Sequence, residues 1–114
     1  MRRRTALVFI LLTGCGKSPQ SDIQYIKQAR SIAAEWALVN EQASAGQITA
    51  IYASSMHRWL HDELRTASKS LSQPHSRYGL EIRVLLAEPK DTSPDRLQRH
   101  AAQLKQIESH LESA

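Results

Sequence analysis

SRYGLEIRVLLA, residues 76–87, is the stretch that decides the fold class. Ile82, Val84 and Leu86 alternate with Glu81 and Arg83, the period of two that marks a strand. Leu80, Val84 and Ala87 also fit one side of a helix. A lone strand would find no second strand in this chain, and its backbone N–H and C=O groups would stay unsatisfied. The stretch is therefore expected to be a short helix, and the chain all-α.

Working outward, residues 88–93 read as a loop. Ser93-Pro94-Asp95 is then a strong helix start: a capping hydroxyl, proline at the first helical position and an acid in the first turn. Leu97, Ala101, Leu104, Ile107 or Glu108, and Leu111 follow a near-heptad seam almost to the C-terminus. On the other side, Pro74 closes a helix expected over residues 50–71 and capped by Thr49. Its apolar stripe is Tyr52, Met56, Trp59, Leu60, Leu64, Ala67 and Leu71. A further helix is expected from Ser21-Asp22 to Ser44, with Gly46 as its stop. Tyr25, Ile26, Ala29, Ile32, Ala33, Trp36, Val39 and Ala43 make its stripe, and Leu38 lies off it, toward solvent. The link between these two helices is short, so they should pair as an antiparallel hairpin. Trp36 and Trp59 both fall within the stripes and read as core anchors. The expected architecture is a small bundle of three longer helices and one short one, spanning residues 21–114.

The N-terminal stretch LLTGCGKS, residues 11–18, has two readings. A phosphate-binding loop would need glycine five residues before Gly16, where Leu11 stands, so the turn that wraps phosphate is missing. A secretory signal fits instead. Arg2-Arg3-Arg4 is a positive start, residues 6–12 are an apolar run, and small residues Thr13 and Gly14 precede Cys15. The apolar run is too short to cross a bilayer, which takes about 20 residues. Leu12-Thr13-Gly14-Cys15 resembles the lipobox of bacterial lipoproteins. The resemblance implies cleavage between Gly14 and Cys15, removal of residues 1–14, and lipid on Cys15. Residues 15–20 would then be a tether. Several acyl chains make such an anchor stable where one gives only marginal binding. Gly16, rather than an aspartate, follows the cysteine, and the resemblance then implies the periplasmic face of the outer membrane. The alternatives are the inner membrane or the soluble periplasm.

Removing residues 1–14 changes the charge argument. The whole chain carries a formal net charge of +4, but three of its fifteen Lys and Arg are Arg2, Arg3 and Arg4. The remaining chain is nearly neutral, with no clustered positive footprint for nucleic acid. Cys15 is the only cysteine, which excludes an internal disulfide and a cysteine zinc site.

Among candidate chemical groups, His57 and His61 stand four apart on one helix, a spacing that lets two rings share a metal ion with a third ligand from elsewhere. Arg58 occupies the place where a metalloprotease motif needs its glutamate. His100 and His110 read as solvated surface. Arg77-Tyr78-Gly79 reads as a helix start with one packed ring. No catalytic constellation is present, so an enzyme is not expected, and no cofactor is implied. The body after the signal resembles small exported helical proteins of Gram-negative bacteria, a resemblance that brings no functional residues. The expected function is a non-enzymatic, membrane-anchored periplasmic lipoprotein, an adaptor or accessory subunit with an envelope protein as partner. The alternative is a ligand- or metal-binding bundle that uses His57 and His61, or a pocket between Trp36 and Trp59. The anchor has a direct check. Intact mass of membrane-extracted protein should equal residues 15–114 plus lipid, and Cys15→Ser should carry no lipid. An unlipidated wild-type mass would overturn this reading.

Overall fold

The computed structural model describes residues 18–114, and the expected signal segment, Gly14 and Cys15 lie outside the described residues. A 3₁₀ turn, Pro19–Asp22, leads into α1 (Ile23–Ser44). Then follow α2 (Ala50–Lys69), α3 (Arg77–Leu86) and α4 (Pro94–Glu112). Among the described residues there is no strand. The described residues begin inside the segment expected as tether, where Ser72 Oγ donates to the Ser18 carbonyl at 3.2 Å.

Local chemistry sets the end of α1 and the starts of α2 and α4 where the sequence placed them. Gly46 has a φ of 71°, the left-handed conformation that glycine adopts without strain. Gln47 N–H donates back to the Gln42 carbonyl at 2.8 Å and Gly46 N–H to the Ala43 carbonyl at 3.1 Å. These bonds satisfy carbonyls that the end of α1 would leave open. Thr49 Oγ1 accepts from Tyr52 N–H at 3.1 Å and starts α2, and Ser93 Oγ accepts from Arg96 N–H at 3.2 Å to start α4. The expected antiparallel hairpin of α1 and α2 is present, although α2 stops at Lys69, before Leu71. Leu71 is buried just beyond the helix end.

Helix α1 lies at the centre and packs most extensively against α4, then α2. Its buried stripe includes Ile26, Ala29, Ile32, Ala33, Trp36, Ala37 and Val39. The alanines, four residues apart, keep the surface low enough for close helix approach. On α4 the seam of Leu97, Ala101, Leu104 and Ile107 is buried as expected. Glu108 continues it, with its carboxylate accepting from Arg30 Nε at 2.8 Å.

The buried faces of α3 and α2 differ from the apolar stripes read in the sequence, although Tyr78 is the packed ring expected at the start of α3. In α3 the buried residues are Tyr78, Gly79, Ile82 and Leu85, whereas Leu80 and Val84 are exposed. A short helix with apolar residues on both sides can turn either face inward, and here the face with the tyrosine wins. In α2 the buried set is Ala53, Leu60, Leu64 and Ala67. Tyr52 and Trp59 lie on its flank, with Trp59 54% exposed, so Trp59 is not a core anchor. One side of α2 meets α1 and another meets α3, and neither covers that flank.

The reason α3 turns its tyrosine inward is Asp22. Expected as a cap for α1, Asp22 makes no side-chain capping bond there. It is only 1% exposed. Its carboxylate accepts from Ser72 N–H at 2.8 Å, Gln73 N–H at 3.0 Å and Tyr78 Oη–H at 2.7 Å. Burial, and then the bond to Asp22, push the Tyr78 phenol up to about 12, so it stays a donor. The link between α2 and α3 is also tight at Gly79, where an added Cβ would overlap the Pro74 carbonyl oxygen. Hydrogen bonds to a charged group contribute about 1.5–3 kcal/mol each, and orphaned buried donors add a penalty. Asp22→Ala should therefore lower the stability by about 3 kcal/mol or more. Tyr78→Phe should cost about half as much. Urea denaturation of both variants and of the double variant checks this, and additive losses would show that the two groups do not interact.

Candidate functional site

The cleft with the most chemical groups in one place sits between α2 and the link joining α3 to α4. Its floor is built from α1. Trp36 and Asn40, one turn apart, both reach the Lys90 carbonyl: Trp36 Nε1–H and Asn40 Nδ2–H each donate to it at 2.9 Å. Asn40 Nδ2–H also donates to the Thr92 carbonyl at 2.8 Å. Three bonds from one helix thus fix a link that has no regular structure of its own. Asn40 spends its remaining oxygen on α2, where Oδ1 accepts from His57 Nε2–H at 2.7 Å.

That last bond sets the form of His57. An amide oxygen only accepts, so the imidazole carries its hydrogen on Nε2. Burial and then the positive charge of Lys90 lower the pKa of His57, with Asp91 opposing. His57 is therefore neutral at pH 7. It lies tilted beside Trp36, the ring centroids 6.5 Å apart. His61, one turn further along α2, donates from Nε2 to the Leu86 carbonyl at 3.3 Å and accepts at Nδ1 from Arg65 Nη2 at 3.1 Å.

The cleft encloses about 430 Å³. Ser54, His57, Arg58, His61, Asp62 and Arg65 line it from α2, and Glu88, Pro89 and Lys90 from the link, with Trp36 beneath. Trp59 is not part of it, so the expected pocket between Trp36 and Trp59 does not form. Trp36 faces the link, while Trp59 lies on the uncovered flank of α2. His57 and His61 do share one wall, as their spacing implied. A metal ion at Nε2 of either ring would have to displace the hydrogen bond made there. Among the described residues no group of three or more His, Cys, Asp or Glu is arranged to hold an ion.

Next to the cleft stands a second arrangement that the sequence did not announce. His100, expected at the solvated surface, has a side chain only 12% exposed. Its Nδ1 lies 2.6 Å from Glu81 Oε2 and its Nε2 lies 2.6 Å from Glu88 Oε2. An imidazole donates at both positions only when both nitrogens carry hydrogen. Arg96 Nε also donates to Glu88 Oε2, at 2.8 Å. His110 is exposed, as expected. The only early sign of the His100 site was glutamate at 81 and 88, one on each side of a helix end. Spacing alone could not tell those acids from solvated ones.

Comparison with protein-family models, with curated proteins and with solved structures finds no match to this chain. What the site does must therefore be argued from its own chemistry.

Glu88 gives that chemistry a pH signature. Burial alone would raise its pKa, but the hydrogen bonds from His100 and Arg96 outweigh burial and hold it below its ordinary value of 4.5. A carboxylate depressed in the folded state stabilises the fold above its unfolded pKa. That contribution is lost as pH falls through the lower, folded value. Glu88→Gln should thus be less stable than wild type at pH 7, with the gap closing as pH drops below about 4.5. Urea midpoints measured across that range test this, and a gap that stayed constant would refute the assignment. At the floor, Asn40→Ala should cost about 2 kcal/mol, since it orphans the Thr92 carbonyl and a donor on His57, while the Lys90 carbonyl keeps the Trp36 bond.

Proposed function

We propose that this chain is a small, non-enzymatic lipoprotein, anchored through Cys15 on the periplasmic face of the outer membrane, which serves as an adaptor or accessory subunit for an envelope protein. The observation that carries the partner is the uncovered apolar flank of the hairpin. Ile51 is 81% exposed, and Tyr52, Trp59 and Leu38 are each about half exposed. Isolated exposed apolar residues are ordinary, whereas aromatic residues gathered on one helix are the composition of protein contacts. Tyr52 and Trp59, seven residues apart, lie on one side of α2.

The anchor supports a consistent geometry. Ser18 is held at the end of the bundle by Ser72, just beyond α2. Three residue steps separate it from Cys15, a span of about 10 Å at most. This end would therefore lie at the membrane surface. Helix α1 runs 22 residues away from it, about 33 Å, to the turn at Gly46. The start of α2, with Ile51 and Tyr52, would then face away from the membrane. Among the described residues no helix is long and apolar enough to cross a membrane, and in this reading the lipid alone provides attachment.

A second reading, a ligand-binding bundle, is favoured by the cleft at His57 and does not exclude the first. The adaptor reading is tested by cross-linking in cells with a photoreactive residue placed at position 59 or, as control, at the exposed position 99 of α4. The expected result is one defined envelope-protein adduct from position 59, none from position 99, and its loss in Tyr52→Ser. Adducts from neither position, or equally from both, would overturn the adaptor reading.

A further inference from the structure

We propose that the cleft between α2 and the α3–α4 link binds a small oxyanion with two negative charges, a phosphate monoester or a dicarboxylate. The inference rests on the ligand-binding reading of the cleft, and its choice of a soluble ligand rests in addition on the lipid anchor. It begins with which charges are already used. Asp62 is paired with Arg65 at 3.2 Å. Glu88 is paired with Arg96 at 2.8 Å and with His100 at 2.6 Å. Both acids that line the cleft are therefore neutralised by neighbours. Arg58 and Lys90 also line it, and neither makes an ion pair among the described residues. One stands on α2 and the other on the link, so each wall presents a cation without an ion-pair partner, although Asp91 stands next to Lys90 in the chain.

The remaining groups suit an anion better than a metal ion. Both ring nitrogens of His61 are occupied, and Nε2 of His57 carries the hydrogen given to Asn40. The Lys90 charge, which already disfavours a proton on His57, disfavours a metal cation for the same reason. Lys90 also springs from a fixed point, because its carbonyl is held by Trp36 and Asn40. A pre-set backbone lowers the ordering cost of binding. Trp36 and neutral His57 form a weakly polar floor, which strengthens the attraction between the two cations and a dianion above it. Arg58 would supply a planar pair of donors, a geometry suited to phosphate or carboxylate oxygens.

Position selects between two sources of such an anion. Arg58 stands eleven residues before the end of α2 at Lys69, which is about 17 Å along the helix from the end that holds Ser18. A lipid headgroup in the membrane under that end would not reach it. The ligand is a soluble one.

The test uses the full chain with Trp59→Phe, so that Trp36 is the only indole. Inorganic phosphate, succinate, glucose and zinc chloride are titrated by tryptophan emission and by calorimetry, beside phosphatidylglycerol vesicles. The expected result is saturable binding of phosphate or succinate that weakens with added salt. It should fall about ten-fold in Lys90→Gln and in Arg58→Gln, about 1.4 kcal/mol, and stay unchanged in Arg99→Gln outside the cleft. Equal binding in all variants would overturn the site. Saturation by glucose or zinc alone would overturn the anion class while leaving a ligand-binding cleft. Binding to vesicles without binding to phosphate or succinate would overturn the soluble source. No saturable binding of any probe would remove both the inference and the ligand-binding reading.

Discussion

A single buried carboxylate organises one end of this bundle. Asp22 closes no helix of its own, yet it binds two backbone N–H groups of the α2–α3 link and the hydroxyl of Tyr78. A charge taken out of water is tolerable only when donors replace the water, and here three do. The consequence propagates. Tyr78 must face inward to donate, which turns Ile82 and Leu85 into the core and leaves Leu80 and Val84 outside. The orientation of α3 thus follows from a residue more than fifty positions earlier.

Asn40 plays the matching part at the other end of α1. Asp22 and Asn40 are eighteen residues apart, about 27 Å along the chain axis. Between them lies the alanine-rich stripe that allows α4 and α2 to come close. One helix therefore fastens both irregular links: the first through an acceptor, the second through donors from Asn40 and Trp36. This matters because neither link can satisfy its backbone by itself. It also sets the cleft, whose floor and one wall exist only because the second link is held against α1.

The division of charge around that link is equally specific. Glu88 satisfies His100 and Arg96 on the α4 side, while Pro89 and Lys90 line the cleft. Lys90 is thereby left without an ion-pair partner. Whether a histidine here was a surface group or a bridge could not be read from its neighbours in sequence. His100, His110, Glu81 and Glu88 are all common on solvated helix faces, and only their meeting in space separates them.

What the chain wrote in its own order were local matters. Thr49, Gly46 and Ser93-Pro94 act within four residues, on backbone groups that are near whatever the rest of the protein does, so the helix ends were legible. The all-α class followed from the same kind of reasoning, because a lone strand has no local partner. The resemblance to a lipobox, too, rests on a contiguous pattern. The tertiary structure decided the rest: which flank of α2 stays bare and exposes Trp59, which side of α3 is buried, what Asn40 binds, and why Asp22 and His100 are not the cap and surface group they resemble. Each of those outcomes depends on a hydrogen bond or a packing neighbour supplied by another element. Periodicity cannot encode it, since a helical stripe says that a face is apolar, not what will cover it.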